Sequence, residues 1–162
     1  MVLLTGLLEI FLLGAPVASA ADPVRPPVVI PGAAPNSTTT RFGDGYITRT
    51  QDGKTYRTSK FGSGWITRSS DGKTYTTSSL GSSSITRGPQ GETLTTTPFG
   101  SGVITRSNQG DSAVTSRFGS GTQTRTNSGQ TTTAHPFGSG YVSRGQTGPK
   151  GKPAPLILPP PK

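Results

Sequence analysis

The chain has 162 residues, 28% of them hydrophobic, with 23 Gly, 15 Pro and no Cys. That composition lies below globular usage and excludes a large conventional core, and without cysteine no disulfide can staple a smaller one. A formal net charge of +9 suits anionic partners such as lipid headgroups, lipopolysaccharide, acidic polysaccharide or DNA, unless it serves solubility alone.

Residues 1–13 are nearly continuous apolar sequence, followed by Gly14, Pro16 and the small-residue run Ala18-Ser19-Ala20. This pattern predicts a secretory signal peptide over residues 1–20, with Ala21 as the mature N-terminus. The run is too short and too Pro-interrupted for a comfortable membrane-spanning helix. No Lys or Arg precedes it and Glu9 sits inside it, which leaves an uncleaved anchor as the alternative. The expected location is secreted, periplasmic or cell-surface. All 16 Lys and Arg lie beyond residue 20, against six acidic residues, so the exported chain carries about +10. Residues 21–41 form a Pro/Thr-rich linker containing Pro23, Pro26, Pro27, Pro31 and Pro35, expected to be an extended spacer.

From residue 42 to 148 the sequence repeats six times, the last copy partial. Phe42, Phe61, Leu80, Phe99, Phe118 and Phe137 are spaced by 19 residues, and so are Arg49, Arg68, Arg87, Arg106, Arg125 and Arg144. Glycines follow the first set at Gly43, Gly62, Gly81, Gly100, Gly119 and Gly138, and a second glycine column runs through Gly53, Gly72, Gly91, Gly110, Gly129 and Gly148. Such register marks a repeat array. In the clearest unit, Trp65 to Arg68 and Thr74 to Ser78 have strand composition, and Asp71-Gly72 between them predicts a tight type I′ turn. The glycines after Phe61 supply the second bend, and the Phe itself is expected to be a packing residue.

The predicted fold is therefore all-β, an array of 19-residue β-hairpins stacked as a solenoid or extended sheet, with disordered Pro-rich flanks and stability drawn from contacts between copies. The second-strand position runs Tyr56, Tyr75, Leu94, Ala113, Thr132, so the N-terminal repeats are expected to be the better ordered. Residues 149–162 form a Pro-rich basic tail, expected to be a tether.

Little in the chain suggests side-chain chemistry. His135, beside Pro136, has no counterpart in the other copies and reads as a surface histidine; Asp52 and Asp71 belong to their turns. The recurrent Gly-x-Gly lacks the strand-to-helix context and the lysine of phosphate loops. No catalytic, cofactor or metal site and no small-molecule substrate is expected. The arginine column is the informative feature. It persists in every copy without an acidic column alongside, so it is the candidate polyanion-binding surface, with arginine stems covering the sheet as the structural alternative.

In length, strand-turn-strand layout and Gly-x-Gly turns the unit resembles curli-type fibre repeats over about residues 42–148, which implies self-assembly. It departs from them in lacking recurrent Gln and Asn ladders. The segment around Trp65, Asp71, Gly72 and Tyr75 also resembles the tyrosine-aspartate hairpin repeats of large bacterial toxin shells, with too few copies to build a shell. The expected function is that of an exported structural, adhesive or matrix protein whose arginine face contacts anionic envelope or matrix polymers. The competing reading is a soluble nucleic-acid- or polysaccharide-binding module without fibre formation. Enzymatic activity is not expected.

Overall fold

The computed structural model describes residues 28–30, 36–146 and 156–158, and within these every element is a β-strand. The strands are β1 (Val28–Ile30), β2 (Ser37–Phe42), β3 (Gly45–Thr50), β4 (Thr55–Phe61), β5 (Gly64–Ser69), β6 (Thr74–Leu80) and β7 (Ser83–Arg87). They continue with β8 (Thr93–Phe99), β9 (Gly102–Ser107), β10 (Ser112–Phe118), β11 (Gly121–Thr126), β12 (Thr131–Phe137), β13 (Gly140–Gln146) and β14 (Leu156–Leu158). The signal peptide, most of the linker and most of the tail lie outside the described residues.

Two kinds of turn alternate, and each needs one glycine. Phe61 pairs directly with Gly64 across a two-residue turn in which Gly62 has φ +58° and Ser63 does not have positive φ. A positive φ at the first central residue alone is the type II′ pattern, whose twist matches that of the flanking strands. At the other end, the Gly72 N–H donates to the Ser69 carbonyl at 3.1 Å and the Ser69 N–H donates to the Lys73 carbonyl at 2.8 Å. Gly72 has φ +84° while Asp71 does not have positive φ. This is a three-residue loop, a type I turn closed by a left-handed glycine, rather than the expected type I′ turn. The difference explains the drift in sequence: only the glycine position demands left-handed backbone, so its predecessor is free to change from Asp to Gln, Ser or Thr.

The twelve strands β2 to β13 pair antiparallel in sequence order and close into a barrel, not into the solenoid or open sheet expected. The register accounts for the closure. Thr39 pairs with Thr48 and Thr48 with Tyr56, two residues short of Thr58, the position one repeat beyond Thr39. Each repeat therefore advances the sheet by two residues. This tilts the strands by about 35° and curls the sheet toward closure. The final pairing of Tyr141 with Thr39 is the one that Tyr46 makes with Thr58 and Trp65 with Thr77. The N-terminal strand thus stands where the second strand of the partial sixth copy would lie. Residues 37–41, read from sequence as linker, belong to this strand.

Asn36 clamps the seam. Its Oδ1 accepts from the Gly145 N–H at 3.3 Å, its Nδ2 donates to Gln51 Oε1 at 2.7 Å, and its carbonyl accepts from the Gln51 N–H at 2.9 Å. The rings of Tyr46 and Tyr141 meet edge-on from either side of β2, 6.5 Å between centroids. Asn108 and Asn127 play a related part between other repeats, accepting from the Thr93 and Ser112 N–H groups through Oδ1.

Alternation along each strand sends one set of side chains inward. The middle interior layer is built of hydroxyls. Threonine Oγ atoms bond each other across five hairpins, Thr39 with Thr48, Thr58 with Thr67, Thr77 with Thr86, Thr96 with Thr105 and Thr115 with Thr124, at 2.8–2.9 Å. All ten are buried. In the sixth hairpin Ala134 faces Ser143, whose buried Oγ has no partner. On either side of this layer lie Tyr46, Tyr56, Trp65 and Tyr75, which are 1–5% exposed and supply most of the buried apolar bulk. Burial pushes the phenols of Tyr46 and Tyr75 up to about 12, because the charged form cannot be solvated there.

Within the flanks, the described residues Val28–Ile30 and Leu156–Leu158 depart from the expected disorder. β1 and β14 pair antiparallel, Val28 with Leu158 and Ile30 with Leu156. Both are apolar triplets set among prolines, and β-branched or aliphatic runs of this kind favour strand pairing over a spacer.

Candidate polyanion-binding surface

The same alternation that buries Thr48 sends its neighbours Ile47 and Arg49 outward. Arg49, Arg68, Arg87, Arg106, Arg125 and Arg144 are all exposed, one per hairpin at the same height, so they form a belt around the outer wall. Two strand spacings and the two-residue stagger set neighbours about 11 to 12 Å apart around the wall. That exceeds the Debye length of about 8 Å at physiological salt, so the arginines repel one another weakly. Between them stand short hydroxyl side chains: Arg68 pairs with Thr74, Arg87 with Thr93, Arg106 with Ser112 and Arg125 with Thr131. Among the described residues no ion pair engages the belt. The ion pairs found join Lys54 to Asp52 at 3.6 Å and Lys73 to Asp71 at 4.0 Å, in the three-residue loops.

Charge is unevenly distributed along the barrel axis. Of the five acidic residues between 36 and 146, Asp52, Asp71, Glu92 and Asp111 all lie at the loop rim, with Lys54 and Lys73. The belt carries no acid. At the turn rim are Arg41, Lys60 and Arg117 against the single Asp44. Within the loop rim, hydrogen bonding by the Thr50 hydroxyl holds the Asp52 carboxyl below its ordinary range.

Arg57 interrupts the pattern of short side chains. It pairs directly with Arg68, and its guanidinium lies 4.9 Å from the Phe42 ring centroid. This cation–π contact draws the guanidinium toward the turn rim. At the seam the corresponding position is Thr38, and there a shallow depression of about 560 Å³ opens between Arg49 and Arg144, floored by Asn36, Thr38 and Gln51. The seam is thus the place where two belt arginines flank a recess large enough for an anionic group.

All six arginines of the sequence pattern are brought to one surface. The phenylalanine column is not the packing set expected. Phe42, Phe61, Leu80, Phe99, Phe118 and Phe137 are 51–69% exposed at the type II′ turns, because a side chain that ends an outward-facing strand has no second layer to pack on. His135 is exposed on the outer face, its ring 6.4 Å from that of Phe118 in an edge contact. Sequence reasoning missed Asn36. Its signal is position: it lies 19 residues before Thr55, the first residue of β4.

The chain matches no protein-family model, no curated protein and no solved structure.

Proposed function

We propose that this chain is an exported binding module that holds anionic polymers of the envelope or matrix, such as acidic polysaccharide, lipopolysaccharide or DNA, against its arginine belt. The supporting observation is the belt itself: six exposed arginines at one height on the barrel wall, separated mostly by hydroxyl side chains, with the acids displaced to the rims. A polymer lying around the wall meets several cations in succession, and each phosphate or sulfate neutralised releases counterions. Closure of the barrel favours this reading over a fibre, since a closed barrel presents no strand edge to which another chain can add.

Replacing Arg49, Arg68, Arg87 and Arg106 by Gln tests it. Affinity for a duplex DNA oligonucleotide and for purified lipopolysaccharide should fall, and the salt slope on DNA should flatten by about 0.9 for every phosphate no longer neutralised. Lys54→Gln with Lys73→Gln is the control, because both lysines already face aspartates at the loop rim. Equally weakened binding in both variants, or unchanged binding in the arginine variant, would reject the belt. Circular dichroism distinguishes a missing cation from a collapsed fold, which would mean that the arginine stems cover the wall.

A further inference from the structure

The apolar crown at the turn rim is not used by the belt. Five phenylalanines and Leu80 close the six type II′ turns of the barrel, each directly opposite the first residue of the next strand, as Phe61 opposes Gly64 and Phe137 opposes Gly140. Since every such turn lies at the same end, the six side chains form a ring around one mouth, and each leaves half or more of its surface in water. Spaced around the wall as the arginines are, the six large apolar groups form a ring of separate insertion points at one end, a regular arrangement unlike the scattered exposure normal for a surface.

We propose that this crown is a membrane-docking surface that enters the interface of an anionic lipid bilayer, setting the barrel end-on to the membrane. Three features select this occupant. The crown's own rim is cationic, with Arg41, Lys60 and Arg117 one residue before Phe42, Phe61 and Phe118, against Asp44 alone. Four of the five acids between residues 36 and 146 lie at the opposite rim, so an anionic surface favours the crown as the leading end of the barrel. The belt stands about 10 Å from the crown along the axis, four strand residues at the barrel tilt, which keeps arginines near headgroup phosphates when the phenyl rings reach the acyl boundary. A second copy docked crown to crown would instead oppose like charges. The strands have five to seven residues, fewer than the nine to eleven or so needed to cross a bilayer, so the crown dips into the membrane without spanning it.

The test uses the exported chain beginning at Ala21 and vesicles of phosphatidylcholine with and without a quarter phosphatidylglycerol. Sedimentation with the anionic vesicles is expected, with much weaker binding to the neutral ones. Replacing Phe61, Phe99, Phe118 and Phe137 by Ser should reduce vesicle affinity by about 100-fold or more, as expected from losing four buried rings. The same variant should keep its circular dichroism and its affinity for the DNA oligonucleotide, so failure of the crown is distinguishable from failure of the belt. A Phe99→Trp variant adds a reporter: Trp65 is 1% exposed and its emission should not change, whereas a crown tryptophan should shift to the blue on binding. Undiminished vesicle binding by the serine variant, absence of binding by the parent chain, or unshifted emission from the Phe99→Trp variant would overturn the proposal. So would conversion of a parent dimer to a monomer by the serine substitutions, which would assign the crown to a second copy.

Discussion

Residues 46–75 send three tyrosines and a tryptophan into the barrel, whereas the matching positions three repeats on hold Val103, Ala113, Thr122 and Thr132. The two halves nevertheless have the same strands, turns and register. The difference teaches that the backbone plan does not depend on apolar bulk in each unit. Glycine turns and threonine pairs repeat the plan around the wall, and bulk supplied by one half serves the closed whole. In an open array the poorer units would fray. Here β13 is held by β2, so the sparse half is joined to the rich half at both of its ends.

The largest effect that should separate the halves is alkaline. Tyr46 and Tyr75 have folded-state pKa values of about 12, above the value near 10 of an unfolded chain. Their contribution is therefore complete below pH 10 and is lost as pH rises from 10 through 12. Tyrosinate absorbance and circular dichroism should change together over that window, and a Tyr46→Phe, Tyr75→Phe variant should unfold at higher pH. Independent titration without unfolding would show that these phenols are not held in the interior.

Trp65→Ala should cost about 3–5 kcal/mol in urea unfolding, as for large buried aromatics. Thr122→Ala, at the equivalent interior position three repeats on, should cost about 1 kcal/mol. Similar costs would mean that the two halves carry the core equally. At the seam, Gly140→Ala places a Cβ 1.8 Å from the Thr39 carbonyl oxygen, and the forced shift should cost about 1–3 kcal/mol. Amide exchange at residues 37–39 should accelerate in that variant if the joint is what ties the halves together. The smallest expected effect is a gain. Ala134→Thr gives Ser143 Oγ the partner it lacks and should stabilise the barrel by about 1 kcal/mol, a rise of about 4 °C in Tm. No gain would show that the hydroxyl layer does not contribute in the sparse half.

The repeat, the positions of its turns and its arginine column were legible because each rests on a local rule: glycine where φ must be positive, and alternation along a strand. The role of the phenylalanines was not, since whether a ring at a turn is covered depends on what the sheet does next. Thr48, Thr67, Thr86, Thr105 and Thr124 form a column beside that of the arginines, with Ser143 in the sixth copy. Their importance was hidden because a threonine looks the same in sequence whether it faces water or another threonine. Closure was visible only indirectly. Thr39, Arg41 and Phe42 match Thr58, Lys60 and Phe61 one period later, but a match at the edge of a low-complexity linker is easily assigned to the linker.

The in-register joint between β13 and β2 makes the molecule cyclic in everything but its covalent chain. A gene encoding the same protein opened at another three-residue loop, for instance between Gly91 and Glu92, with the present joint bridged by a linker, should fold to the same wall. Copy number is correspondingly quantised. Duplication of one 19-residue unit would add a whole hairpin and enlarge the circumference, while an insertion of any other length within a strand would leave the two ends unable to meet.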